Sequence, residues 1–333
     1  MKERKTNMNS TLKAVIGPLL AVLILAGMLA VIHETFLKTD NLMNILRQLS
    51  INAVVSIGML LVLLTGGIDL SVGSTAAVSA CVMGVLLKAG VDSAFILIPV
   101  ALIVGLVVGL CNGLLFTKLN LPHPFVSTMG MMQMLRGLAL LITGASPITG
   151  FPKSVTYLGF ANVWGIPVCF IVVILIVMVF SIFLKRTALG RRIYTVGGNK
   201  EAARLSGINV PRTLNFVYTM SGVLAAFGGI LLVGRVGTAF PLAGEGYEMD
   251  AVAACVIGGA SFSGGRGTVA GTLIGSLLIA IVNNGLNLLG AQSDIKNIVI
   301  GAVIIIAVLI DVMRGSASER VRRLSQIKGE AQA

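Results

Sequence analysis

Charge and titratable chemistry are scarce in this sequence. Only 11% of its 333 residues are Asp, Glu, Lys or Arg, and it has 2 histidines, 4 cysteines and 1 tryptophan. An ordinary soluble domain carries about 25% charged residues, so water is excluded as the main solvent. His33 and His123 lie at the ends of apolar runs, far from any cysteine, and Cys81, Cys111, Cys169 and Cys255 are scattered singly inside such runs. The ligand clustering of a metal site is missing, and the cysteines read as small packing residues. There is no Gly-x-x-x-x-Gly-Lys-Ser/Thr loop to cradle a phosphate. No nucleophile and base pair up either, so no catalytic residue is assigned.

What is abundant is apolar surface: 56% of residues are hydrophobic and the mean hydropathy is +0.97. A bilayer core takes about 20 apolar residues per helical span. Breaking the apolar windows at Gly, Pro and charge predicts ten spans, near 14–33, 51–66, 72–88, 94–116, 124–143, 163–184, 214–234, 250–264, 268–289 and 295–312. The expected fold is an all-α polytopic transmembrane bundle, one unit over residues 1–333. The first run is too long for a cleaved signal peptide and reads as a retained helix.

A net charge of +12 would suit nucleic acid, but its placement speaks for the bilayer. With the N-terminus inside, eighteen Lys and Arg residues fall on the cytoplasmic side against six outside, with Arg136 left within a span. That bias obeys the positive-inside rule. It predicts a cytoplasmic N-terminus (1–13), a cytoplasmic loop (185–212), a cytoplasmic basic tail (313–333) and no nucleic-acid partner.

The 40 glycines are patterned. Gly105, Gly109 and Gly113, and again Gly271 and Gly275, recur every four residues, a spacing that lets helix backbones approach closely. Asn52 to Val85 and Met249 to Ile281 share a short apolar helix, a Gly-Gly break and a second small-residue helix, which suggests a parallel repeat.

In the first break, Asp69, Ser71 and Ser74 stand between apolar runs. Interrupted helix at membrane depth needs protein or water around it, so Asp69 is read either as a pathway or gate residue or as the cap of the next helix. In the second half, Glu245, Glu248 and Asp250 precede a short span; they line an entrance or meet a periplasmic partner, or simply start a solvated helix. Asn112, Asn283, Asn284 and Asn287 either bond between helices or serve a polyhydroxylated solute. Arg136 needs an interior partner or a route to the interface.

In the basic loop, Asn199 fits an N-cap and Gly207 a C-terminal cap for a two-turn helix through Lys200, Glu201, Ala202, Ala203 and Arg204. So short a helix wants a partner. Glu201-Ala202-Ala203 with Gly207 resembles the cytoplasmic coupling loop of bacterial ATP-binding-cassette importer permeases. With Gly67 to Ser74, Gly246 to Ala251 and Asn283 to Gly290, the chain resembles the ribose-type sugar permease family along nearly its whole length.

The resemblance implies a multi-pass protein of the bacterial inner membrane, with both termini cytoplasmic, that works as a homodimer. It also implies two cytoplasmic ATPase subunits, which would hold ATP and Mg, and a periplasmic sugar-binding protein. On that reading Asn199 to Gly207 couples to the ATPase, Asp69, Ser71, Ser74, Asn112, Asn283 and Asn287 line or gate the pathway, and Glu245 and Glu248 meet the periplasmic partner. A branched-chain amino acid importer permease and an ion-coupled carrier using Asp69 stay open as alternatives.

Overall fold

Inside a bilayer the backbone has no water to bond, so spanning segments close their hydrogen bonds internally as helices. The computed structural model describes residues 2–119, 121, 123–292, 295–306 and 308–309, with side chains from Ile16 onward. The basic tail expected at 313–333 lies outside the described residues. Along the chain the helices are α1 (Lys2–Ile32), α2 (Thr39–Leu64), α3 (Val72–Lys88), α4 (Ala94–Lys118), α5 (Pro124–Thr143), α6 (Lys153–Phe160), α7 (Val168–Arg186), α8 (Ala188–Gly198), α9 (Lys200–Leu205), α10 (Val210–Val236), α11 (Tyr247–Ile257), α12 (Val269–Leu288) and α13 (Ile295–Ile306). Two small antiparallel ladders join β1 (Ile148–Thr149) to β4 (Thr238–Ala239) and β2 (Asn162–Val163) to β3 (Ile166–Pro167).

The chain is an all-α, multi-pass membrane protein. Among the described residues six helices, α2, α4, α5, α7, α10 and α12, are long and apolar enough to cross, and Ile16–Ile32 of α1, α3 and α13 are shorter apolar helices. The span expected at 250–264 is corrected: α11 has 11 residues, about 16 Å at 1.5 Å per residue, half of a ~30 Å core. The chain leaves α11 at Gly258 and runs non-helically to Thr268. In the other direction α2 begins at Thr39, well before the expected residue 51, because polar Asn41, Asn44, Arg47 and Gln48 hid its first turns from an apolar count.

α2 is the central post: 83% of its apolar window is buried, against 17% for α7. It packs against α10, α12, α11 and α7. Helix contacts in lipid gain from close packing, not from escape from water, and the glycine stripes supply it. A side chain at Gly105 or Gly109 would run into the α10 backbone at Gly222 or Tyr218, and one at Gly271 or Gly275 into α11 or the turn just after it, at Gly258 and Ala254.

The bundle has two distinct ends. At one, α8 and α9 sit against the C-terminus of α2, the end of α4 and the start of α10, with Val196, Ala203 and Leu214 buried together. At the other lie α6 and the β2–β3 hairpin, whose turn places Trp164 (φ 52) and Gly165 (φ 79) in the left-handed region. Tyr157, Phe160 and Trp164 are exposed there, as aromatic side chains are at a membrane interface.

Candidate translocation and coupling site

Asp69 is 1% exposed in the break between α2 and α3. Its Oδ1 accepts from Ser71 N at 3.0 Å and Ser71 Oγ at 2.7 Å, and its Oδ2 accepts from Ser221 Oγ of α10 at 2.8 Å. Asn112 Nδ2 of α4 donates to Ser71 Oγ at 2.8 Å, and Ser74 Oγ to Ser71 O at 2.9 Å. The carboxylate thus turns the chain into α3 and ties it to α4 and α10. The two sequence readings are not exclusive: the helix-start role is visible as geometry, and the residue is walled in by protein.

Arg136 resolves its cost in the same interior. Its Nη1 donates to Pro241 O at 3.0 Å and Ala243 O at 2.8 Å. Midway along α5, it therefore pins the bend between α10 and α11, where Gly244 meets Gly73 backbone to backbone. Glu245 is exposed on that bend, and Glu248 is half-buried with its carboxylate beside Gly73.

The loop from Arg186 to Asn209 is more structured than the sequence indicated. Asn199 Oδ1 accepts from Ala202 N at 2.9 Å, capping α9, and Gly207 has φ +78. Before it stands α8, capped by Thr187 Oγ1 accepting from Gly190 N at 2.9 Å. Ala203 is the buried anchor of α9, whereas Glu201, Ala202, Arg204 and Gly207 are exposed and Leu205 is 75% exposed. Arg204 pairs with Glu201 through Nη2–Oε1 at 2.6 Å and Nε–Oε2 at 3.1 Å, which holds that carboxyl below its ordinary range. An exposed pair of this kind is worth little in itself, so both groups remain free to change partner.

α8 reaches both breaks through its backbone and one side chain. Gly197 lies against Leu64 O, Gly265 N donates to Leu64 O at 3.0 Å, and Gly264 abuts Gly66 N. Tyr194 Oη adds a bond to Gly267 O at 2.9 Å. The two Gly-Gly breaks of the suggested repeat therefore touch each other and α8 at one junction.

The family model described as "Branched-chain amino acid transport system / permease component" matches residues 41–308. The chain belongs to this permease family. It is 44% identical to the ribose import permease of Bacillus subtilis (strain 168), over 89% of this chain and 92% of that one. Against the ribose import permease of Escherichia coli (strain K12) the figures are 41%, 88% and 92%. For the D-allose transport system permease of the same strain they are 39%, 84% and 85%. No solved structure matches the chain.

The permease splits the residues that the sequence grouped as one pathway. Asp69, Ser71, Ser74 and Asn112 form one buried network, while Asn283 lies elsewhere, donating through Nδ2 to Asp250 Oδ2 at 3.1 Å. Asn284 exchanges bonds with Asn41 at 2.8 and 3.1 Å, and Asn287 is exposed near the end of α12. Ser221 was missed because a serine inside an apolar run carries no signal until its partner is known. Gly197 was missed because only the packing shows how near Leu64 it lies.

Proposed function

We propose that this permease is the membrane subunit of an ATP-driven importer for a monosaccharide, ribose or a related sugar, handed over by a periplasmic binding protein and moved by alternating access. The observation that carries the reading is the α8–α9 unit: an exposed, charged, capped helix joined by bare backbone to both helix breaks. Its form suits a device that takes a push from outside the bilayer. ATP hydrolysis, with its Mg, belongs to separate cytoplasmic ATPase subunits, since this chain has no phosphate loop. On this reading α9 docks on the ATPase through Asn199, Glu201, Ala202, Arg204 and Gly207, and both termini face the cytoplasm. Glu245, exposed on the bend, is the acidic group open to the binding protein or to its cargo; Glu248 steadies the bend.

A second copy completes the pathway. Gln133 is exposed midway along α5, with open space around Gly130 and Gly137, and the non-helical bend at Leu242 and Glu245 is exposed beside that helix. Polar groups and irregular backbone at membrane depth are tolerated only against protein or water, which supports this face as the one shared by two copies around a hydrated path.

The relatives' sugar names favour a sugar over a branched-chain amino acid. An ion-coupled carrier built on Asp69 is disfavoured because both carboxylate oxygens already accept protein hydrogen bonds. The test is reconstitution with the ATPase and the binding protein in proteoliposomes. D-ribose uptake should need internal ATP and persist without an ion gradient; uptake that needs the gradient and no ATPase would sink the reading.

A further inference from the structure

The end of the bundle away from α8 and α9 encloses a cavity that the coupling scheme does not use. Its volume is about 110 Å³, against the ~30 Å³ share of one liquid water. Its walls are Asn52 of α2, Arg235 of α10, Tyr247 and Asp250 of α11, Asn283 of α12 and Lys296 of α13. Two wall residues each hold a buried side-chain atom with no hydrogen-bond partner, Asn52 Nδ2 and Asn283 Oδ1, and Asn283 is only 2% exposed. Orphaned buried polar atoms are costly, so either amide gains by turning its free group toward a ligand in the adjoining cavity.

The walls say which kind. Arg235 and Lys296 outnumber the one carboxylate, Asp250, which disfavours a cation. That same carboxylate opposes an anion. The two orphans are of opposite kind, one donor and one acceptor, and Arg235 and Asn283 are held in place by bonds to Asn44 Oδ1 (2.8 Å) and Asp250 Oδ2 (3.1 Å). A hydroxyl has one donor and two acceptor lone pairs, so neighbouring hydroxyls on a neutral ring can donate to Asn283 Oδ1 and Asp250 while accepting from Asn52 Nδ2 and Lys296.

We propose that this cavity is a subsite for a neutral polyhydroxylated solute of monosaccharide size, built within a single copy of the chain. It rests on the importer reading and adds where the cargo finds polar contacts at the end of the bundle away from α8 and α9. The cavity would give the sugar a brief, weak stop on its way through.

The test is equilibrium binding of radiolabelled D-ribose and D-galactose to the permease co-purified with its ATPase, with no binding protein present. Wild-type complex should bind one of the two sugars saturably. Asn52→Leu and Asp250→Asn should each weaken binding about tenfold, the size expected for one lost hydrogen bond of this kind, with co-purification of the ATPase reporting a folded variant. Asp250→Asn keeps an oxygen for Asn283, and Asn52→Ala serves if Asn52→Leu does not assemble. No saturable binding in wild type, or equal binding in the variants, means that the cavity holds ordered water only and overturns the proposal. ATP-driven uptake by wild type, with the same preparation reconstituted in proteoliposomes and the binding protein added, separates the two ideas: uptake with unaltered variant binding leaves the importer standing and removes the subsite, whereas no uptake removes both.

Discussion

At the scale of single residues, the permease spends its few polar groups on closing the helix breaks. Asp69 takes three hydrogen bonds from two serines, in an interior where an unpaired donor costs about 1–3 kcal/mol. Asp69→Leu should orphan Ser71 and Ser221 together and lower the thermal stability of the detergent-purified protein sharply. Ser221→Ala, which deletes one donor, should cost only about 1 kcal/mol. Equal melting temperatures for Asp69→Leu and wild type would refute the structural role. Asp69 itself was legible in the sequence as a carboxylate between apolar runs, and so was its alternative as a helix-start residue. Its third bond was not, because Ser221 is 152 positions away and nothing local links the two. Arg136 behaved the same way: its cost in a span was plain from sequence, but the carbonyls of Pro241 and Ala243 that meet it belong to a bend that no periodicity marks.

At the scale of elements, capping chemistry made α9 readable, since Asn199 and Gly207 are strong local signals. α8 escaped because its glycines read as loop. They are there for proximity: a methyl at Gly197 would overlap Leu64 O, whereas one at Gly198 meets nothing. Gly197→Ala is therefore expected to push α8 away from both breaks and sharply reduce ATP-driven uptake while the ATPase still binds. Gly198→Ala should transport normally. Paired uptake and co-purification measurements decide it, and identical uptake in the two variants would remove the junction from the coupling route. On α9, Glu201→Ala leaves the buried anchor Ala203 intact, so it should uncouple uptake from ATP hydrolysis with little change in stability, an exposed ion pair being worth about 0–1 kcal/mol. Unchanged uptake and unchanged ATPase stimulation would count against the docking role. α11 shows the limit of apolar counting. Residues 250–264 are apolar enough to suggest a span, but the glycines after Ile257 take left-handed or turn conformations and end the helix halfway.

At the scale of the whole molecule, the exposed α5 face bears on assembly. If a second copy covers it, Gln133→Cys should form an intermolecular disulfide under mild oxidation in membranes, in a background whose four native cysteines are replaced. A cysteine at Met178, exposed on α7, should not; efficient cross-linking at Met178 with none at Gln133 would move the interface elsewhere. Composition alone determined that this protein lives in a bilayer as a helical bundle, because 56% hydrophobic residues with 11% charged ones admit no other solvent. Spacing alone determined which helix faces are built for close packing, since a glycine every fourth residue lies on one helix face. Only the tertiary structure decided that the eighth expected span is a half-helix, that Asp69 and Asn283 belong to different polar groups, and that both Gly-Gly breaks meet α8. Each of those depends on contacts between residues far apart in the chain, and hydrophobic periodicity carries no information about which distant backbone a glycine will touch.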